Sequence, residues 1–281
     1  MTPRPGDALT EVAQYLRCPG CAQTRWRTEA DGLVCGACAR RYPYVGGVLD
    51  MAAPGDVGAA GDRPYEGFWA AFYGWVMSSP ARQRLDSWLL GLDVRRYYRE
   101  TVARLDECGD GPRLEVPCGS LPFHGRTRAY DAGPWIFVDL SRAMLDKLAR
   151  RLDGTGHVLV RADACALPVR DGQLRTIVSL FGLHCFHDKD AVFAELRRCL
   201  RPDGRLVLST LTSDGPARSR LYQRLNELDG TFAPAVSSAR IAALAGRHGL
   251  GIDDQVSLGS VLLCTASLRI RESTASEGGT R

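Results

Sequence analysis

The sequence predicts an α/β protein: a doubly wound, mostly parallel sheet of seven strands, preceded by a small cysteine-rich module and a helical lid. Three observations carry this. Residues 112–270 alternate short apolar runs with helical patterns, four of the ten cysteines form two Cys-x-x-Cys pairs near the N-terminus, and a helical stretch separates the two regions. Short apolar strands alternating with amphipathic helices are the mark of a parallel sheet covered on both faces. With 281 residues and 45% hydrophobic content, the chain can bury one such domain of about 160–200 residues and still supply an accessory module.

The strand-like runs fall at 113–117, 135–140, 157–161, 176–181 and 205–211, with 254–258 and 260–268 closing the series. Between them lie helical patterns: one from Ser141, a serine suited to cap it, one from Asp190, and one from Ser237 that stops at Gly249. Ahead of the sheet, residues 65–105 place Phe68, Phe72, Trp75 and Val76 at helical spacing on one face. Such a stripe serves either as core or docking face, or as a lid over an apolar substrate. The expected units are a metal-binding ribbon over 1–52, a helical lid over 62–110, a ligand-binding α/β domain over 111–270 and a disordered tail over 271–281.

The paired cysteines read CPGC, Cys18 to Cys21, and CGAC, Cys35 to Cys38. Two such knuckles on successive hairpin tips bring four thiolates into a tetrahedron, which closes a structural zinc site without an open coordination position. Trp26, Leu33, Val34, Tyr42, Tyr44 and Val45 would be a core too small to fold without the metal. A redox pair is the alternative reading. Cys108, Cys118, Cys165, Cys185, Cys199 and Cys264 stand singly among mostly apolar neighbours, as small core residues do.

A formal net charge of +4, spread along the chain, demands no nucleic-acid or anionic-membrane partner. No basic-then-apolar leader opens the sequence and no apolar run approaches a membrane span, so a cytoplasmic location is expected.

In a doubly wound sheet, ligands bind beyond the carboxyl ends of the strands, so the residues just after each strand carry the function. After strand one comes the turn Pro117-Cys118-Gly119-Ser120-Leu121. Strand two ends on Asp139, 20 residues beyond Gly119, the separation at which an acidic side chain meets the ribose hydroxyls of an adenosine. Strand three leads into Ala162-Asp163-Ala164, and strand four into a loop holding His184 and His187. Ionised carboxylates only accept hydrogen bonds, so acids after strands two and three suit a ligand offering a ribose diol and an exocyclic amine. Adenosine offers both.

Residues 112–268 resemble the class I S-adenosylmethionine-dependent methyltransferases of the ubiquinone/menaquinone-type branch, which have a Rossmann-like fold. The family's acid-x-Gly-x-Gly-x-Gly pattern falls on Glu115, Pro117, Gly119 and Leu121; FVDLSRAML resembles its ribose-binding segment, RADACALPVRDGQLRTIVSLFGLHCF its adenine segment, and ELRRCLRPDGRLVLST its approach to strand five. The resemblance implies S-adenosylmethionine as cofactor, with Asp139 on the ribose, Asp163 on the adenine amine, Ala164 supplying backbone, and Gly119 admitting the methionyl portion. Glu115, Pro117, Cys118, Leu140 and Leu180 complete the implied cofactor contacts. Pro117 is harmless where ordinary backbone angles suffice. Leu121 departs from the pattern, and is strained if the family glycine has positive φ.

Methyl transfer needs alignment and exclusion of water, with a base only for a protonated acceptor; His184 and His187 are the candidates for that base. The long segment 212–235 either shapes an acceptor pocket or is a solvated Arg-rich helix. Three functions follow. A small, largely apolar organic acceptor, natural-product or quinone-like, fits the aromatic helices and modest charge. A ribosomal RNA guanine methyltransferase with a zinc ribbon is the second, with Arg25, Trp26, Arg27, Arg40, Arg41 and Tyr42 as RNA grip. Those enzymes usually include histidine among their metal ligands, whereas here all four are cysteine, and residues 1–50 hold six arginines against five acids, a weak footprint for RNA. A noncatalytic or non-methylating S-adenosylmethionine-binding protein is the third.

Overall fold

The computed structural model describes residues 5–52, 80–131, 133–228 and 230–269. Phe68, Phe72, Trp75 and Val76 and the tail over 271–281 lie outside them. Helix α1 (Pro5–Ala13) opens the chain and is followed by four short strands, β1 (Trp26–Glu29), β2 (Gly32–Cys35), β3 (Arg41–Val45) and β4 (Val48–Asp50). Helices α2 (Pro80–Leu90) and α3 (Val94–Asp106) lead into the alternating region: β5 (Arg113–Glu115), β6 (Trp135–Asp139), α4 (Arg142–Arg151), β7 (Val158–Arg161), β8 (Leu174–Leu180), α5 (Lys189–Cys199) and β9 (Leu200–Leu211). Helices α6 (Ala217–Leu228) and α7 (Ser238–Arg247) and the hairpin β10 (Leu250–Leu258) and β11 (Val261–Leu268) complete it.

The strands form one sheet in the order β1-β2-β3-β4-β7-β6-β5-β8-β9-β11-β10. From β7 to β10 this is the seven-stranded, doubly wound arrangement the sequence implies. β7, β6, β5, β8 and β9 run parallel, and only the β11–β10 hairpin is antiparallel to its neighbours. The chain leaves β5 first toward β6 and β7, then returns to β8 and β9 on the other side, so the switch point lies between β5 and β8.

Alternation along the strands feeds two cores. Ile136 and Val138 of β6 face one side, where Leu9 and Val12 of α1, Phe193 and Leu196 of α5, and Ile241 of α7 cover them. Trp135 and Phe137 face the other, against Tyr97 and Leu105 of α3 and Leu145 and Leu148 of α4. The caps follow the expected chemistry: Ser141 Oγ accepts from Met144 N at 3.4 Å and Ser237 Oγ from Arg240 N at 3.2 Å. The helix expected from Asp190 is capped two residues earlier, where Asp188 accepts from Ala191 N at 2.9 Å.

The cysteine-rich module is continuous with the main domain. Val48–Asp50 pairs parallel with β7, through Val48 with Leu159 and Asp50 with Arg161, and Leu16 bridges to Val169. Leu33 and Tyr42, expected in a separate small core, instead share one core with Leu49, Leu114 and Val158. Val45, expected in that core, is 56% exposed. Segment 212–235 contains the helix α6, with Arg218, Arg220 and Arg224 exposed along it, as the Arg-rich-helix reading of this segment has it.

Candidate functional site

The carboxyl ends of β5, β6 and β8 meet at a turn built from Val116 to Leu121. Cys118 N donates to Val138 O at 2.9 Å and Val116 N to Val178 O at 2.9 Å, which stitches the turn to the strands on either side. The Val116–Pro117 peptide is cis. Pro117 lays its ring on Gly182, where an added Cβ would stand 2.1 Å from the proline Cδ, so only glycine fits just beyond β8.

Gly119 has φ +48° and a Cβ placed on it would meet no atom within 4 Å, so its exposed edge opens onto free space rather than onto protein. Its N–H donates to Asp139 Oδ2 at 2.8 Å, and Ser141 N donates to Oδ1 at 2.9 Å. Each oxygen of this buried carboxylate thus accepts a backbone hydrogen bond, which ties the glycine turn and the start of α4 to one acid. Asp139 O accepts from Ala162 N at 3.2 Å, which brings the turn bearing Asp163 alongside; Asp163 Oδ1 accepts from Cys165 N at 2.8 Å, and Ala164 is buried behind it. The residues fit an adenosine-bearing cofactor: an open glycine turn, then two carboxylates on neighbouring strand ends.

Other candidates fall into supporting places. Glu115 is fully buried at the end of β5, accepts from Tyr130 Oη, and burial pushes its carboxyl up to about 8. Cys118 and Leu180 are buried in the core on the α3–α4 side. Leu140 O accepts from Arg161 Nε at 3.0 Å, and Arg161 Nη1 pairs with Asp50 Oδ2 at 3.4 Å. The last residue of β4 therefore reaches the ligand edge. Met51 N extends this contact by donating to Arg161 O at 2.9 Å.

Leu121 does adopt the left-handed region, with φ +52°. Its side chain is 1% exposed and packs into the core with Phe123 and Tyr97, away from solvent. Arg151 holds the strained turn from α4, donating to Ser120 O at 3.0 Å and Leu121 O at 2.9 Å. Restoring glycine here is a net loss. Relief of about 1–2 kcal/mol of left-handed strain offsets only part of the roughly 2–5 kcal/mol for deleting a buried leucine. Leu121→Gly should therefore lower unfolding stability by about 1–3 kcal/mol in guanidinium titrations, and an unchanged or raised midpoint would contradict this balance.

The two histidines separate. His184 is buried, with Nδ1 3.4 Å from Thr210 Oγ1 and its ring 4.6 Å from that of Phe232, and burial, helped by Lys189, pushes its pKa down to about 3. It is neutral near pH 7 and a weak proton acceptor. His187 is exposed. Sequence reasoning missed Tyr97, whose hydroxyl lies 2.9 Å from Ser209 Oγ and whose ring stands 5.2 Å from Phe181 and 5.9 Å from Phe123. With Tyr98 against Phe123 at 4.9 Å, α3 builds an aromatic wall beside the ends of β8 and β9. The helical spacing of YYRETVARL carried that signal.

A second centre lies in the ribbon. The Sγ atoms of Cys18, Cys21, Cys35 and Cys38 all lie within 4.8 Å of one another, with Cys18–Cys38 at 3.7 Å and Cys21–Cys35 at 3.6 Å. A tetrahedron with Zn–S bonds of about 2.3 Å has edges of about 3.8 Å, so the thiols fit zinc. The knuckles match: Ala22 N donates to Cys18 O and Ala39 N to Cys35 O, and both alanines are left-handed, at φ 57° and 58°. Tyr42 Oη sits 3.0 Å from Cys18 Sγ.

Residues 114–208 match the family described as methyltransferase domain. The α/β domain belongs to the class I S-adenosylmethionine-dependent methyltransferases. Its methyltransferase segment is 37% identical over 125 residues to a ubiquinone/menaquinone biosynthesis C-methyltransferase of Acidiphilium cryptum, covering 42% of this chain and 49% of the relative. It is 35% identical over 165 residues to a malonyl-(acyl-carrier protein) O-methyltransferase of Alcanivorax borkumensis, covering 56% of each. The chain thus spans about half the length of these curated relatives. Among solved structures, a chain from the complex of the Haloferax volcanii Trm112 methyltransferase activator with a methyltransferase superposes with TM-score 0.56 at 15% identity, covering 70% of this chain and 97% of that one. The cyclase SpnF superposes with TM-score 0.52 at 14% identity, covering 62% and 80%. These two likenesses concern the methyltransferase fold alone.

Proposed function

We propose that the protein transfers a methyl group from S-adenosylmethionine to a small, largely apolar organic acceptor. The observation that carries this reading is Asp139: buried at the carboxyl end of β6, its acceptor-only carboxylate fixes the N–H groups of Gly119 and Ser141 and so draws the open glycine turn against the acid that would meet a ribose diol. Asp163 would accept from the adenine amine, with Ala164 and Leu140 as backbone and apolar contacts, and Gly119 would admit the methionyl portion. The bound cofactor supplies an electrophilic methyl group on a sulfonium. The chain's own residues then need to align a nucleophile in line with it and keep water away. Tyr97, Tyr98, Phe123 and Phe181 supply an apolar wall where that alignment would occur. His184, neutral and enclosed, shapes this end of the sheet and is assigned no proton transfer.

The acceptor would enter between α2–α3 and segment 212–235, the two stretches left to cover the ligand edge. Relatives named for quinone biosynthesis and for a malonyl thioester carrier support an organic acceptor. The ribbon would be a structural zinc module. Its Arg41 is ion-paired with Glu29 and lies 3.7 Å from Asp31, so at that position the charge is already met within the ribbon.

Incubation with methyl-labelled cofactor and, separately, total RNA or a small-metabolite extract is expected to place label in the organic fraction. Label in RNA, falling steeply as salt rises, overturns the reading. Cofactor binding with label in neither fraction would instead support a non-methylating role.

A further inference from the structure

Helix α6 is inside out. Ser219 and Gln223 point inward and are buried: Gln223 Nε2 donates to Thr212 O at 3.0 Å and to Ser219 Oγ at 3.1 Å, and Ser260 Oγ donates to Ser219 Oγ. The leucines point outward. Leu221, Leu225 and Leu228, at the i, i+4, i+7 spacing of a single stripe, are 62%, 57% and 81% exposed. α2 lies alongside and adds Leu85 and Trp88, at 47% and 60%. Arg218 joins the helices by donating to Trp88 O at 2.6 Å, with its guanidinium 5.0 Å from the Trp88 ring centre. Five large apolar side chains on two adjoining helices form a contiguous patch of the kind that marks an interaction surface.

The charge around the patch selects its partner. At 3.6 residues per turn, Arg218 and Arg224 flank the leucine stripe by about 60° on either side. Arg220 lies further round, and all three are exposed; Glu227 is the helix's only acid, and its carboxylate accepts from Ala235 N at 2.7 Å. Arg84 stands exposed on α2. A second copy of the chain would set these arginines against their own equivalents. An apolar stripe with arginines along both sides and a tryptophan beside it is instead the pattern that rests in the headgroup layer: the leucines enter the acyl boundary while the arginines reach back to phosphates. Among the described residues no helix is long and apolar enough to cross a membrane, so contact here is lateral.

We infer that the outward face of α6, with Leu85 and Trp88 of α2, docks the protein on an anionic membrane surface. The inference stands on this face alone and does not require methyl transfer. Docked so, segment 212–235 lies against the bilayer.

Co-sedimentation with vesicles of phosphatidylcholine and phosphatidylglycerol in equal parts tests it on the full chain. The protein should pellet with these vesicles and bind pure phosphatidylcholine more weakly. Leu225→Gln/Leu228→Gln should reduce binding by about tenfold or more through lost apolar contact. Arg84→Gln/Arg224→Gln should reduce binding to the mixed vesicles by roughly 30-fold, about fivefold per arginine, with little change on neutral ones. All four side chains are exposed, so an unchanged melting temperature checks that the variants are folded. Absence of vesicle binding, binding indifferent to the leucine substitutions, a dimer in sedimentation velocity that those substitutions abolish, or retention on an acidic protein without vesicle binding would each overturn the inference.

Discussion

Replacing Asp139 with alanine should weaken S-adenosylmethionine binding by at least 10- to 150-fold. The lower bound counts only a charged hydrogen-bond partner of the ribose, about 1.5–3 kcal/mol. The structure adds to it. Asp139 also accepts from Gly119 N and Ser141 N, so alanine strips both backbone donors of their partner and frees the glycine turn that the cofactor must approach. Asp139→Asn separates the two contributions. It keeps the shape but can present only one acceptor oxygen, so one of the two N–H groups then faces an amide donor; binding should remain weak, while the melting temperature falls less than in the alanine variant, which loses both acceptors. Titration calorimetry with folded variants measures both. Equal affinity for parent and alanine variant would remove Asp139 from the ribose and, with it, the main support for the cofactor geometry proposed here.

The same residues show what was legible in the sequence and why the rest was not. Strands β6 to β9 carry runs of apolar residues bounded by turns, and their alternation with helical patterns is enough to predict the sheet. Asp139 and Asp163 are legible because the strand ends fix where a ligand lies. Helix α1 escaped notice: its buried Ala8, Leu9, Val12 and Ala13 have helical spacing, but nine residues beginning Pro-Gly-Asp read equally well as an irregular terminus. Strand β4 is three residues long, and nothing local distinguishes so short a strand from a loop until its partners β3 and β7 are present. Leu121 stands out in the sequence as a departure from the glycine pattern, yet the means of tolerating it, a buried side chain and the Arg151 clamp some 30 residues away, depends on tertiary contacts. His184 followed the strand whose loop holds a ligand, but its enclosure by Phe232 comes from a segment nearly 50 residues later, and burial rather than position set its basicity.

Stripping metal from the ribbon should destabilise the whole fold. The four thiols lie within 4.8 Å of one another, and two of their separations match the edge of a zinc tetrahedron, so one zinc per chain is expected by elemental analysis, lost in a Cys18→Ser/Cys35→Ser variant. Free zinc at about 1,000 times its dissociation constant stabilises the native state by about 4 kcal/mol, and for a fold of this size that corresponds to a melting temperature about 8–16 °C higher than after chelation. A ribbon tethered by a flexible linker would lose its metal privately. Here Leu33, Tyr42 and Leu49 lie in one core with Leu114 and Val158, and β3 delivers β4 to the edge of β7, so the loss should broaden or lower the main transition. The effect should also reach the ligand edge: Asp50 at the end of β4 holds Arg161, and Arg161 holds the carbonyl of Leu140, the residue after Asp139. Chelation should therefore weaken cofactor binding measured below the lowered melting temperature, and Asp50→Asn should reproduce a milder version of that loss with zinc still bound. A protein that purifies without zinc and melts at the same temperature when both cysteines are replaced would refute the metal centre. Retained cofactor affinity after verified zinc removal would leave the centre standing and break only its link to Asp139.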